Sequence, residues 1–241
     1  MIKIVFAGDA NVGKTALFQK WKTNETLFDT EATIAIECER RKLQLVSNCR
    51  SGIPDNIDEV AETREVIVQL WDTAGQEKFQ SVSTHQYRNT KGALLVYDVN
   101  QPDTLASLEK RWRPQVLESA GDDVVIAIVA NKCDAKGPSS AIGSGTAARM
   151  ASCAEAEACI SRGRKLADVL PNCLFFETSS RWERDYYMLL ENNECGIEKV
   201  VEALAAEIAR RGLDVGAGGG NGAIRLTSAG CNEQLMQSCA C

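Results

Sequence analysis

The chain has 241 residues, of which 44% are apolar and 25% are charged, the composition of an ordinary globular domain. Its 27 basic and 33 acidic side chains give a net charge of −6, which argues against a nucleic-acid-binding protein. No apolar run approaches the roughly 20 residues needed to cross a bilayer, and the first residues lack the pattern of a secretory signal. We therefore expect one domain with a tail, and not a secreted, membrane-spanning or DNA-binding protein.

The ten cysteines are scattered along the chain, and His85 is the only histidine. No CxxC pair exists, and structural zinc sites need closely spaced ligands of this kind. The pattern therefore argues against a zinc site, and we expect reduced thiols in a cytosolic protein.

Short apolar runs alternate with helical patterns, and this alternation predicts an α/β domain with a mostly parallel sheet. The predicted strands are Lys3–Ala7, Ile34–Val46, Glu65–Trp71, Ala93–Asp98, Val124–Ala130 and Cys173–Glu177. The predicted helices begin near Lys14 and cover Pro102–Ala120, roughly Thr146–Leu170, and Gly196–Arg211. We predict three layers, with helices on both faces of a six-stranded sheet and ligands outside the carboxyl ends of the strands.

Three stretches depart from this alternation. Ser47–Arg64 contains Gly52, Pro54 and several acids, which predicts a long exposed loop between two strands. The Gly/Ser-rich stretch Gly137–Thr146 predicts a flexible connection. From Leu213 to Cys241 the chain is too rich in glycine to bury a core, which predicts a tail.

The first motif with chemical meaning fits the pattern GxxxxGK[ST] between the first strand and the first helix. Its residues are Gly8, Asp9, Ala10, Asn11, Val12, Gly13, Lys14 and Thr15. The glycines let backbone N–H groups turn inward around phosphate oxygens, and the helix N-terminus adds partial positive charge. Lys14 would reach the β- and γ-phosphates, and the Thr15 hydroxyl would ligate Mg²⁺. Taken alone, the motif could also be a glycine turn without a ligand.

A second motif runs from Asp72 through Gly75 to Gln76, directly after a predicted strand. An acid at the end of an apolar strand is well placed to hold Mg²⁺, and Gly75 would let a backbone N–H approach the γ-phosphate. The carboxamide of Gln76 can both donate and accept, which suits the positioning of an attacking water. On its own, however, such a turn is common.

Two further motifs follow later strands. The first contains Asn131, Lys132 and Asp134, and the second contains Ser179, Ser180 and Arg181. The Asp134 carboxylate can accept two hydrogen bonds from the N1–H and exocyclic amine of guanine, donors that adenine lacks. The stem of Lys132 can lie on the base, and Asn131 would tie this loop to the phosphate loop. A backbone N–H of the last motif could contact the guanine oxygen.

The four motifs lie in one order at the ends of predicted strands, and together they resemble the Ras superfamily of small GTPases, most closely the Rab family. The matching stretches are Gly8–Thr15, Thr33–Glu37, Trp71–Phe79, Tyr87–Asp98, Asn131–Asp134, Glu177–Ser180 and the terminal Cys-x-Cys. The resemblance implies a GTP-binding domain over residues 1–212, with insertions near 47–64 and 137–170, and a hypervariable tail over 213–241.

The resemblance also implies the reaction, which is hydrolysis of GTP to GDP and phosphate with Mg²⁺ as cofactor and Gln76 positioning the water. Thr33 would ligate Mg²⁺ together with Thr15 and Asp72. Thr33 and Gly75 would contact the γ-phosphate only when GTP is bound, which makes a switch. No arginine of the motifs is placed to stabilise the transition state, so slow hydrolysis and an activating protein are implied.

Several positions depart from the family pattern, and they are Ala10, Ala35, Cys38, Ser180 and Arg181. Added side-chain volume at Ala10 can crowd Gln76 and reduce basal hydrolysis. Phe28 is a candidate for packing against the guanine, but its spacing from Thr33 differs by two residues.

The chain ends Cys239-Ala240-Cys241, and in Rab-like proteins such an end carries two geranylgeranyl groups, enough for stable anchoring. The implied partners are a guanine-nucleotide exchange factor, a GTPase-activating protein, effectors, a GDP-dissociation inhibitor and prenylation escort proteins. The resemblance implies a monomer that cycles between the cytosol and the cytoplasmic face of intracellular membranes and regulates vesicle-mediated traffic.

Two other functions stay open on the sequence alone. A domain of the same fold could hold nucleotide, hydrolyse little and act as a scaffold, which Ala10 and Ala35 favour and Gln76 and Thr33 oppose. A metabolic kinase or ATPase with the same phosphate loop would need an acceptor site, and it gives no reason for Asn131–Asp134 or the terminal cysteines.

Overall fold

The computed structural model describes residues 1–24, 36–48, 61–73, 86–136, 146–181 and 196–214. Within these ranges, six strands form one sheet in the order β2-β3-β1-β4-β5-β6. The strands are β1 (Ile2–Ala7), β2 (Glu37–Asn48), β3 (Ala61–Asp72), β4 (Gly92–Asp98), β5 (Val125–Asn131) and β6 (Cys173–Glu177). All neighbours are parallel except β2 and β3. The carboxyl ends of β1, β3, β4, β5 and β6 therefore meet at one edge of the sheet.

Helices cover both faces of the sheet, which confirms the predicted three-layer α/β fold. They are α1 (Lys14–Thr23), α2 (Pro102–Ser107), α3 (Arg113–Ala120), α4 (Thr146–Val169) and α5 (Ile197–Arg210). One core packs Leu17 of α1 and Leu204 of α5 against the sheet. The other packs Leu105, Val116 and Ile160, from α2, α3 and α4, against the opposite face. This double cover explains why the parallel strands are nearly continuous apolar runs.

The hairpin of β2 and β3 extends further than the sequence predicts. A loop is predicted over Ser47–Arg64, but Ser47 and Asn48 belong to β2 and residues 61–64 belong to β3. These residues continue the antiparallel register, in which Asn48 pairs with Ala61. The polar sequence misled the prediction because main-chain hydrogen bonds hold an antiparallel ladder even where neither face is apolar. Residues 49–60, the middle of the predicted loop, lie outside the described residues.

The remaining differences concern the ends of elements. β2 begins at Glu37, whereas the predicted strand begins at Ile34. Ile34 lies outside the described residues, and so do positions 137–145 and 215–241. The predicted tail starts at Leu213, but Leu213 packs against the core. Asp214 is buried and forms an ion pair with Arg64 of β3 at 2.6 Å. The folded domain therefore extends at least to Asp214.

A wide turn interrupts the predicted helix Pro102–Ala120. Leu108–Trp112 is a π-helical segment between α2 and α3, and the N–H of Arg113 donates to the carbonyl of Leu108, five residues earlier. We attribute the turn to Pro114, which has no N–H to donate and whose ring collides with the carbonyl four residues earlier in a regular α-helix. The wide turn accommodates the proline without ending the helix.

Among the cysteines whose side chains the structure describes, Cys38, Cys133, Cys159 and Cys173 are free thiols. Within the described ranges, no helix combines the length and the apolar character of a membrane span. The same ranges contain no cluster of three His, Cys, Asp or Glu side chains that could hold a metal ion.

Candidate functional site

The phosphate loop Gly8–Thr15 joins β1 to α1 at the edge where the parallel strands end. Its backbone has a φ of +148° at Gly8 and +98° at Gly13. A Cβ atom on Gly8 would collide with the carbonyl oxygen of Val96, and one on Gly13 would collide with the side-chain amide of Asn131. Only glycine satisfies both the backbone conformation and these close approaches.

Lys14 lies folded back over the loop. Its Nζ donates to the carbonyl oxygens of Gly8, at 2.9 Å, and of Asp9, at 2.7 Å. Burial lowers the pKa of the Lys14 amine to about 8, against the opposing attraction of the Asp72 and Asp9 carboxylates. A phosphate group at the loop would supply further negative charge and would favour the ammonium form.

Asp72 ends β3 beside the loop, and only 1% of its surface is exposed. Burial raises the pKa of its carboxyl group to about 6, although a hydrogen bond with the Thr15 side chain and the charge of Lys14 oppose the rise. The Oδ1 atom of Asp72 has no hydrogen-bond partner. A buried carboxylate oxygen without a partner, next to a hydroxyl group, suits Mg²⁺, which takes few protein ligands and keeps waters and phosphate oxygens. Thr15 and Asp72 therefore fit the predicted cofactor.

Asn131 ends β5 and connects two loops. Its Nδ2 atom donates to the carbonyl oxygen of Val12 at 2.8 Å, and both residues are buried. This contact, between residues 119 positions apart, is the one that the sequence predicts between the Asn131–Asp134 motif and the phosphate loop.

Asp134 lies in a 3₁₀ turn, Cys133–Lys136, directly after β5. Its Oδ1 atom accepts a hydrogen bond from the Ser179 hydroxyl at 2.5 Å, and its Oδ2 atom lies 3.6 Å from Nη1 of Arg181. The backbone N–H of Arg181 donates to the same Ser179 oxygen at 3.1 Å. The loop after β6 is therefore held against the acid that is predicted to recognise guanine.

Two ion pairs at this edge were not predicted. Lys132, with a φ of +66°, places its Nζ atom 2.7 Å from Oδ2 of the buried Asp98 at the end of β4. Arg164 of α4 pairs at 2.8 Å with Glu177 at the end of β6. The position of Asp98 after an apolar strand, like that of Asp72, is a signal that sequence reasoning could have used. Arg164 carries no such signal, because the packing of α4 alone brings it to Glu177.

The structure brings the phosphate loop, Asp72 and the two later motifs together at one edge of the sheet. It also brings in Trp112, which no motif of the sequence singles out, and whose indole N–H donates to Asp9 Oδ1 at 2.8 Å. Several predicted residues lie outside the described residues, and they are Phe28, Thr33, Ala35, Gly75, Gln76, His85, Cys239 and Cys241. Their roles stay predictions.

Comparison with known proteins agrees with this arrangement. A model described as the Ras family matches residues 3–193. The chain is 35% identical over 136 residues to the Ras-related protein RABA2a of Arabidopsis thaliana, and these residues cover 56% of this chain and 55% of the relative. It is 35% identical over 134 residues to the Ras-related protein Rab-11A of Dictyostelium discoideum, with coverage of 56% and 55%. The chain spans about half the length of the curated relatives it matches.

A phosphate loop and a buried acid at the carboxyl edge of a parallel sheet define a nucleotide-binding domain of the P-loop class. Because the family model matches most of the chain, the chain belongs to the Ras family. The Rab names of its relatives confirm the resemblance to Rab proteins that the motifs indicate.

Proposed function

We propose that this chain is a Rab-like molecular switch that binds guanine nucleotides with Mg²⁺ and hydrolyses GTP to GDP and phosphate. The observation that carries the proposal is the buried hydrogen bond from Asn131 to the Val12 carbonyl. It holds the loop suited to phosphates and the loop suited to the base in one fixed relation, as recognition of a single nucleotide requires.

Asp134 would select the base. Each carboxylate oxygen can accept more than one hydrogen bond, so the contact with Ser179 leaves capacity for the N1–H and the amine of guanine. Adenine presents no donors at those positions, and its binding would leave the carboxylate desolvated and unpaired. The backbone N–H groups of Ser179, Ser180 and Arg181 are the candidates for the guanine oxygen, and the stem of Lys132 would cover the base.

The phosphates would lie on the loop that precedes α1. The N–H groups of Asp9, Ala10, Asn11, Val12 and Gly13 would donate to phosphate oxygens, helped by the partial positive charge at the start of the helix. Lys14 would exchange its contacts with the loop carbonyls for the β- and γ-phosphates. Thr15, Asp72 and, with GTP, Thr33 would hold Mg²⁺, which neutralises phosphate charge when bound.

Hydrolysis and switching would depend on residues outside the described ranges. Gln76 would position the attacking water, while Thr33 and Gly75 would contact the γ-phosphate and lose that contact after hydrolysis. An activating protein would supply the transition-state charge that the motifs of this chain do not. A second candidate, a scaffold that holds GTP and hydrolyses little, is favoured by Ala10 on the phosphate loop, because added side-chain volume at this position can crowd Gln76.

At the membrane, two geranylgeranyl groups on Cys239 and Cys241 would anchor the protein through its tail. GTP-dependent recruitment of effectors to intracellular membranes, and so the regulation of vesicle traffic, follows from this anchoring and from the Rab resemblance. Replacement of both cysteines by serine should leave the protein in the soluble fraction of a cell lysate, and continued pelleting with membranes would contradict lipid anchoring at these positions.

The experiment that tests the core of the proposal is titration calorimetry on emptied protein with Mg²⁺. GDP should bind tightly and ADP should not, and equal binding of both would contradict the role of Asp134 and favour a kinase or ATPase. Single-turnover release of phosphate from GTP, with and without cell extract, then separates a switch from a scaffold. A rate that extract accelerates supports the switch, and a rate near zero in both conditions supports the scaffold.

A further inference from the structure

Asp9 poses an electrostatic problem for the phosphate loop. A carboxylate within a loop that binds phosphates repels them unless its charge is directed away or compensated. The structure holds Asp9 at two points. Its carbonyl accepts a hydrogen bond from Lys14 at 2.7 Å, and its Oδ1 accepts one from the Trp112 indole at 2.8 Å.

Trp112 and Asp9 are 103 residues apart in the sequence, and the fold brings them into contact. Its side chain is only 2% exposed, so the indole N–H needs a partner within the protein, and Asp9 provides one. The guanidinium carbon of Arg111 lies 4.7 Å from the centroid of the same ring. The indole is therefore fixed by the core, by a cation and by the carboxylate.

The wide turn decides where this indole points. Trp112 is the last residue of the π-helical segment, and such segments add one residue to a helix and change the direction of the side chains around them. Pro114, two residues later, accounts for the segment. Pro114 therefore influences the orientation of the Trp112 indole, and through it the contact with Asp9 in the phosphate loop.

From this geometry we propose that Trp112 is a positioning residue for nucleotide binding, whose indole N–H fixes the Asp9 carboxylate and thereby keeps the phosphate loop in its binding conformation. The inference rests on the proposed binding of guanine nucleotides. The loop benefits from such support, because Asn11 has a φ of +62°, a left-handed conformation that asparagine tolerates better than other non-glycine residues but still adopts less readily than the right-handed one. A loop ordered in advance loses less conformational entropy when phosphates bind.

The test measures the rate at which fluorescently labelled GDP dissociates from the full chain in Mg²⁺. Trp112→Phe removes the N–H and keeps an aromatic ring, and it should accelerate release by about 10-fold, the loss of one hydrogen bond to a charged group. Trp21→Phe is the matched control, because Trp21 is 1% exposed and has the guanidinium of Arg41 at the same 4.7 Å from its ring. Its release rate should stay within about 2-fold of wild type.

Two substitutions of Asp9 separate the hydrogen bond from the charge. Asp9→Asn and Asp9→Ala are both neutral, but only asparagine keeps an oxygen for the indole. With Trp112 present, the Ala variant should release GDP about 5-fold faster than the Asn variant, and with Phe at position 112 the two should release it equally. If Trp112→Phe fails to fold, the Asn and Ala variants compared in the presence of Trp112 still decide the question.

Equal release by the Asn and Ala variants in the presence of Trp112 would overturn the inference, as would a Trp112→Phe rate no faster than that of Trp21→Phe. Both results leave the proposed function intact, because wild-type protein still binds GDP. A wild-type chain that takes up no labelled GDP would instead contradict the proposed function, and with it this inference.

Discussion

Replacement of Asp72 by asparagine should make the metal-free protein more stable and, at the same time, insensitive to Mg²⁺. The carboxyl group is buried, and its pKa rises from 3.8 to about 6 in the folded state. One pKa unit corresponds to about 1.4 kcal/mol, so the ionised carboxylate destabilises the folded, metal-free protein by about 3 kcal/mol at pH 7.5. Asparagine removes this charge and keeps an oxygen for the contact with Thr15.

The pH dependence has a definite sign. The folded-state pKa of Asp72 is higher than the unfolded-state pKa. The destabilisation is therefore fully present above a pH of about 6 and decreases as the pH falls through that value, and it is absent below the unfolded-state pKa of 3.8. The gain from Asp72→Asn should therefore be about 2 to 3 kcal/mol at pH 7.5 and about half of that near pH 5. In Mg²⁺ and GDP the order should reverse, because only wild type would gain the binding energy of the cation under the proposed function.

Urea unfolding followed by tryptophan fluorescence, in EDTA without nucleotide, measures these differences. Asp122→Asn is the control, because Asp122 is exposed in the turn before β5 and its neutralisation should change the free energy of unfolding by less than about 0.5 kcal/mol. An Asp72→Asn protein less stable than wild type at pH 7.5, or a gain equal at pH 5 and pH 7.5, would refute the reasoning.

Three further substitutions test other parts of the site. Asn131→Ala leaves the buried Val12 carbonyl unpaired, so urea unfolding should show a loss of about 1 to 3 kcal/mol, and an unchanged midpoint would contradict the contact. Gly13→Ala places a Cβ against the Asn131 amide and should abolish GDP binding in calorimetry, so retained affinity would count against the loop geometry. Gln76→Leu should slow single-turnover phosphate release at least 10-fold and leave GTP affinity unchanged, and an unaltered rate would exclude Gln76 as the water-positioning residue.

Much of the fold was predictable, because its evidence is local. The buried strands β4 and β5 are continuous apolar runs, and the glycines of Gly8–Thr15 mark a turn between a strand and a helix. Motifs after strands could be assigned to one edge, since parallel strands end together. The contact of Asn131 with Val12 follows from that rule, although the two residues are far apart in sequence.

The rest depends on packing that no local pattern reveals. The polar ends of β2 and β3 form strands because they pair with each other, and Asp214 is buried because Arg64 lies beside it. Likewise, the helical periodicity of Pro102–Ala120 is correct, but a pattern of apolar residues does not show a π-helical turn. The orientation of Trp112, and hence its contact with Asp9, becomes visible only once that turn is placed.

Recognition of the Watson–Crick edge of guanine by Asp134 can be tested with a base that presents a different edge. Xanthine keeps the N1–H but carries an oxygen where guanine has its amine. Asp134→Asn offers one acceptor and one donor and should match xanthine in place of guanine. Calorimetry with GDP and xanthosine diphosphate, in Mg²⁺, on both proteins is the direct test. We expect wild type to prefer GDP and the variant to prefer xanthosine diphosphate, and a variant that keeps its preference for GDP would contradict base recognition by Asp134.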